Sequence, residues 1–164
     1  MLARRWRSRV DRVNMAQTDL EFIDIVARLA AAVAVGMGIG LNRDIADKPI
    51  GMRTLGLVAL GAAVVALSTV HFDVLADHPD ALSRVVQGII QGVMAGIGFI
   101  GAGVIMRDPS SRTVEGLTTA ATVWVTAALG IACGLASWVI VAVAVSLAVF
   151  LLVIVAWLEA AIQK

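Results

Sequence analysis

The sequence predicts an all-α membrane protein, a polytopic helix bundle with about five transmembrane helices, and three observations carry that prediction. Of its 164 residues 60% are hydrophobic, against roughly 45–50% in soluble globular chains. Only 15% are charged, and these gather at the N-terminus and between apolar runs. Several of those runs approach the ~20 apolar residues needed to cross ~30 Å of hydrocarbon. A chain of this length cannot hide so much apolar surface in a core of its own, so lipid must cover it. The length suits a single domain.

The expected spans cover about residues 23–41, 55–72, 85–106, 116–133 and 138–157, within one transmembrane domain, 23–164, that follows a basic tail, 1–22. Trp138 and Trp157 flank the fifth span, where amphipathic rings favour the headgroup region. Only Gly134 to Ser137 separate the fourth span from the fifth, which predicts a tight antiparallel hairpin.

Lys and Arg in short loops mark the cytoplasmic side. Arg43, Lys48 and Arg53 follow the first span, Arg107 and Arg112 follow the third, and Lys164 follows the fifth. In a five-span bundle these share one face, which puts the C-terminus in the cytoplasm. The tail "MLARRWRSRVDRVN" conflicts with this, because Arg4, Arg5, Arg7, Arg9 and Arg12 would lie outside. Three accounts are open: a natural start at Met15, with residues 1–14 an upstream extension; a Trp-bearing interfacial segment; or a first run that does not fully span. The first is preferred, because Thr18 or Asp19 could cap a helix there, with acids in its first turn. Asp19, Glu21 and Asp24 separate the arginines from the apolar run, against a secretory signal.

Ionisable groups in a span are costly and point to function. Asp24 and Arg28 share a helical face; a structural ion pair is the plainer reading, an Arg28 turned into the bundle the sharper one. In span three, Gln87 and Gln91 precede Gly88, Gly92 and Gly96 at spacing four, with Gly98, Gly101 and Gly103 beyond. Such small residues let helices approach closely in lipid, so packing is expected, ahead of a broken helix with exposed backbone. In span four, Thr118, Thr119, Thr122 and Thr126 follow Glu115. Each hydroxyl can bond its own preceding turn; together, beside a carboxylate, they look more like a lined cavity.

His71, His78, Asp73, Asp77 and Asp80 in the second loop read as solvated rather than as a metal site, and no metal ligands are assigned. Cys133 reads as a small apolar residue at a helix end. "GMGIG" lies inside a span rather than in a strand-to-helix turn, so it is no dinucleotide motif. No phosphate-cradling loop, zinc helix or nucleophile elbow is present, so neither an enzyme, a cofactor nor nucleic-acid binding is expected.

Three blocks in series, "GIGLNRDIADKPIGMRTLGLVALGAA", "GIGFIGAGVIM" and "VEGLTTAATVWVTAALGIACG", resemble the MgtC/SapB family of bacterial inner-membrane proteins, from about Leu29 to Gly134. The family's first block usually reads Gly-Leu-Glu-Arg-Glu, then Lys-Pro-Ala-Gly-Leu-Arg-Thr. The counterparts here are Asn42, Arg43 and Asp44, then Lys48 to Thr54, so Asn42 replaces a common carboxylate. Many members continue into a soluble C-terminal domain; this chain is similar to the short form. The resemblance implies adaptation to low magnesium, survival inside phagocytes in pathogens, and regulation of membrane complexes, including restraint of the F-type ATP synthase.

Two readings follow. One is a non-enzymatic modulator in the inner membrane that contacts lipid, another membrane complex or a second copy of itself, with a dimer expected. The alternative is a small carrier or channel for magnesium or another ion, with its path near Asp44, Glu115 and Thr118. A hard dication wants carboxylate oxygens, and nearby arginines oppose it, so the modulator is preferred. The expected site is a polar cluster at the cytoplasmic boundary, made of Arg28, Asn42, Arg43, Asp44, Arg53, Thr54, Glu115, Thr118 and Thr119. Within it Arg43 or Arg53 should pair with Asp44 or Glu115, with Arg112 close by.

Overall fold

The structure, a computed structural model, describes residues 2–70, 79–107 and 114–162, with side chains for 20–70, 80–105, 114–158 and 161–162. His71, Asp73, Asp77, His78 and Arg112 fall outside the described residues.

Five helices are long and apolar enough to cross a membrane: Leu20–Ile45, Met52–Val70, Asp80–Gly103, Leu117–Gly134 and Trp138–Leu158. The first is the latter part of α1, Leu2–Ile45, which runs through Thr18 and Asp19 instead of starting at them. At ~1.5 Å per residue its apolar part reaches about 39 Å, longer than the hydrocarbon core. α1 stops at a Schellman motif. Asp47 takes the left-handed conformation (φ 50°), its N–H bonds Asp44 O, and the Lys48 N–H bonds Arg43 O at 3.0 Å.

α2 is Met52–Val70 and α3 Pro79–Gly103. Two short strands, β1 (Met106–Arg107) and β2 (Val114–Glu115), pair antiparallel, Met106 opposite Glu115. α4 (Leu117–Gly134) turns into α5 (Trp138–Val149) through a second Schellman motif. Ala136 is left-handed there (φ 54°), and the Ser137 N–H bonds Ala132 O at 2.9 Å. The expected tight hairpin is therefore present. The fifth span is not one uninterrupted α-helix: a π-helical stretch, Phe150–Val155, separates α5 from α6 (Ala156–Ile162).

α2 lies between α1 and α4, while α3 packs on α4 and α2, and α5 on α4. The contacts of α2 are made with small residues. A Cβ on Gly36 would come within 2.9 Å of Ala59 Cβ, and one on Gly40 within 2.5 Å of Met52 Cα. From the other side a Cβ on Gly130 would lie 2.9 Å from Ala59 Cα, and one on Gly134 3.1 Å from Ala66 Cβ. These two pairs at spacing four let the backbones meet, the way helices associate where no hydrophobic force separates them from lipid.

The glycines of α3 do not do this within the chain. Positions 88, 92, 96, 98 and 103 have open space where a Cβ would be; only Gly101 makes ordinary contact, with Ala120. The reason is rotational. α3 turns Ile90, Val93, Met94 and Ile97 toward α2 and α4, which leaves Gln87, Gly88, Gln91, Gly92 and Gly96 exposed outside.

Candidate functional site

Arg43 lies in the last turn of α1, where its charge faces the negative end of the helix dipole. The turn after α1 folds back over it and the start of α4 closes the other side, so only 4% of the residue is exposed. Its Nη2 donates to Thr119 Oγ1 in the first turn of α4 and to Pro49 O at 3.3 Å. Its Nε is buried without an acceptor; an unmet buried donor costs about 1–3 kcal/mol.

Asp44, the next residue, points elsewhere. Its Oδ2 accepts the Met52 N–H at 3.0 Å, so the end of α1 caps the start of α2 and places a carboxylate on that helix's positive pole. Gly51 makes this possible, because any side chain there would occupy the carboxylate's position. Ile50, between Pro49 and Gly51, is held left-handed (φ 65°), an outlier for a β-branched residue.

The expected pairing of Arg43 or Arg53 with Asp44 or Glu115 is corrected by this geometry. Arg43 binds a hydroxyl and a carbonyl, and Asp44 is engaged at α2. Glu115 is exposed in β2, while Arg53, Thr54 and Thr118 are exposed and Asn42 half-buried. None of these five side chains bonds another described residue.

Arg28 stands apart from the cluster, about 22 Å along α1 from Arg43. It pairs with Asp24 at 2.6 Å and also donates through Nη1 to Gly134 O at the far end of α4, 3.2 Å away. The ion pair is thus present, and one bond reaches into the bundle, but Arg28 does not join the polar cluster in which it was expected. The salt bridge holds it at the helix surface while its free arm satisfies an orphan carbonyl of α4.

The threonine face divides. Thr122 Oγ1 donates to Thr118 O at 2.7 Å and Thr126 Oγ1 to Thr122 O at 2.8 Å, each bonding its own preceding turn. Thr119 reaches another helix. Among the described residues no group of three or more His, Cys, Asp and Glu is placed to hold a metal ion. Sequence reasoning missed Gly36, Gly40, Gly130 and Gly134 as packing residues; their spacing of four was the available signal.

This is a small polytopic α-helical membrane protein with a donor-rich polar site at one end of its bundle. The MgtC family model matches residues 29–161, and the chain belongs to that family. It is 43% identical to Protein SrpB of Synechococcus elongatus over 70% of this chain and 66% of the relative. It is 43% identical to Protein MgtC of Salmonella typhimurium over 67% of this chain and 43% of the relative. With Protein SapB of Bacillus subtilis it shares 35% identity over 68% of this chain and 47% of the relative. The chain thus spans about two fifths to two thirds of the curated relatives it matches. No solved structure matches it.

Proposed function

We propose that this protein is a non-enzymatic modulator of membrane complexes in the bacterial inner membrane, serving adaptation to low magnesium and, in pathogens, intracellular survival. Family membership supports the setting. The observation that carries modulator over carrier is Arg43. A dication approaching the polar end of the bundle would meet a buried guanidinium, and the nearest carboxylate in sequence, Asp44, is held on α2. Like charges at short range in a low-dielectric site oppose entry strongly. In this reading the Arg43 end and the C-terminus face the cytoplasm, consistent with Arg43, Lys48 and Arg53 gathering there.

The outward face of α3 supports an assembly. Its exposed amides and glycines are the reverse of what acyl chains favour. A second copy suits it, because Gln87 and Gln91 each donate and accept, so a two-fold pair satisfies both amides. A larger complex, such as the F-type ATP synthase implied by the resemblance, would be engaged by this dimer.

Magnesium flux into proteoliposomes tests the reading. No flux above empty vesicles is expected. Flux that disappears in a folded Glu115→Ala variant would overturn it in favour of a carrier.

A further inference from the structure

Arg43 has five N–H donors, and the protein satisfies only part of them. Nη2 binds two neutral oxygens, Thr119 Oγ1 and Pro49 O. Nε is buried with no acceptor, and no carboxylate of a described residue lies within ion-pair distance of the group. Arg43, a residue only 4% exposed, is therefore a buried cation with no counterion among the described residues. The same place holds a second source of donors. α4 is capped by Gly116, which has no side-chain oxygen to offer the first-turn N–H groups, and Thr119, the partner of Arg43, belongs to that first turn. By contrast, the neighbouring N-terminus of α2 is already capped by Asp44.

We propose that the Arg43 end of the bundle binds a phosphate-type oxyanion, held between the Arg43 guanidinium and the first turn of α4. The fork of an arginine and the positive end of a helix each select a tetrahedral or planar oxyanion; the one described carboxylate at that helix end, Glu115, is exposed in β2 and makes no ion pair with Arg43. The approach lies beside Leu117, 58% exposed, and the exposed Thr118. That position suits either the phosphate of a lipid headgroup or free phosphate. The inference goes beyond the modulator reading and does not rest on it, since ion flux is not its readout.

The full chain in detergent micelles is titrated calorimetrically with inorganic phosphate at constant ionic strength. In parallel it is released from mixed phosphatidylglycerol and phosphatidylcholine micelles for native mass spectrometry. A saturable one-site heat assigns free phosphate; one retained phospholipid per chain without that heat assigns the headgroup. Either signal is expected to weaken by about tenfold or more in Arg43→Lys, which keeps the charge but loses the fork, with helicity by circular dichroism unchanged. Should that variant fail to fold, Thr119→Val, which frees the guanidinium from its anchor, is expected to weaken the same signal. Binding of neither probe by the native chain, or undiminished binding by a folded Arg43→Lys or Thr119→Val, overturns the inference.

Discussion

The guanidinium of Arg43 and the hydroxyl of Thr119, 76 positions apart in sequence, are hydrogen-bonded where α1 ends and α4 begins. The bond holds a buried charge with a neutral partner. It therefore orients the cation without neutralising it, and leaves the remaining donors of the group for another acceptor.

Removing the hydroxyl should expose how much the bundle relies on it. Thr119→Val keeps the shape and is expected to destabilise the fold by about 1–3 kcal/mol, the cost of a charged donor losing its acceptor in the interior. Thr119→Ser should recover most of that. Reversible unfolding in mixed micelles reads the difference.

The cap supplied by Asp44 predicts an ordered series. Asp44→Ala should cost about 0.5–2 kcal/mol, as loss of an N-cap does, and Asp44→Asn distinctly less, because the amide oxygen still accepts. Gly51→Ala should be at least as harmful as Asp44→Ala, since its methyl group displaces the carboxylate. Thermal melting of the three variants in one detergent gives the ranking.

Ala136 offers a change in the opposite direction. Its left-handed backbone (φ 54°) is strained for a residue with a Cβ, so Ala136→Gly is expected to stabilise the α4–α5 hairpin by about 0.5–1 kcal/mol after the entropic loss of glycine. A higher melting temperature checks it.

Two glycine substitutions should behave oppositely. Gly130→Ala drives a methyl group against the Ala59 backbone and is expected to cost about 1–3 kcal/mol of overpacking. Gly92→Ala meets open space, so folding should be unharmed, or improved by up to ~1 kcal/mol from helix propensity. Crosslinking between copies through a cysteine at position 88 should nevertheless fall in Gly92→Ala. Unchanged crosslinking would remove α3 from the proposed dimer face.

The spans were legible because charge interrupts every apolar run but the last two, which Gly134 to Ser137 divide, and Arg43 stood out because it lies among charges gathered where one span ends and the next begins. Its partner was not legible. Opposite charge is the strongest pairing rule available without coordinates, and it pointed to Asp44 and Glu115 while the fold chose a threonine. The role of Asp44 was hidden for a related reason: caps usually adjoin the helix they cap, and this one comes from eight residues earlier on another helix. The glycines of α3 drew attention by density. Those on α1 and α4 do the packing, because helix rotation decides which set meets a neighbour and spacing alone does not report rotation. The π-helical stretch in the fifth span has no mark in its aliphatic sequence.

Ala59 is pinched between Gly36 on one side and Gly130 on the other, and two side-chain hydrogen bonds from α1 to α4 lie toward opposite ends, Arg28 with Gly134 and Arg43 with Thr119. Architecturally this is a seam stapled near both ends with a small-residue wedge between them: α1 and α4 are tied to each other where α2 keeps their backbones apart.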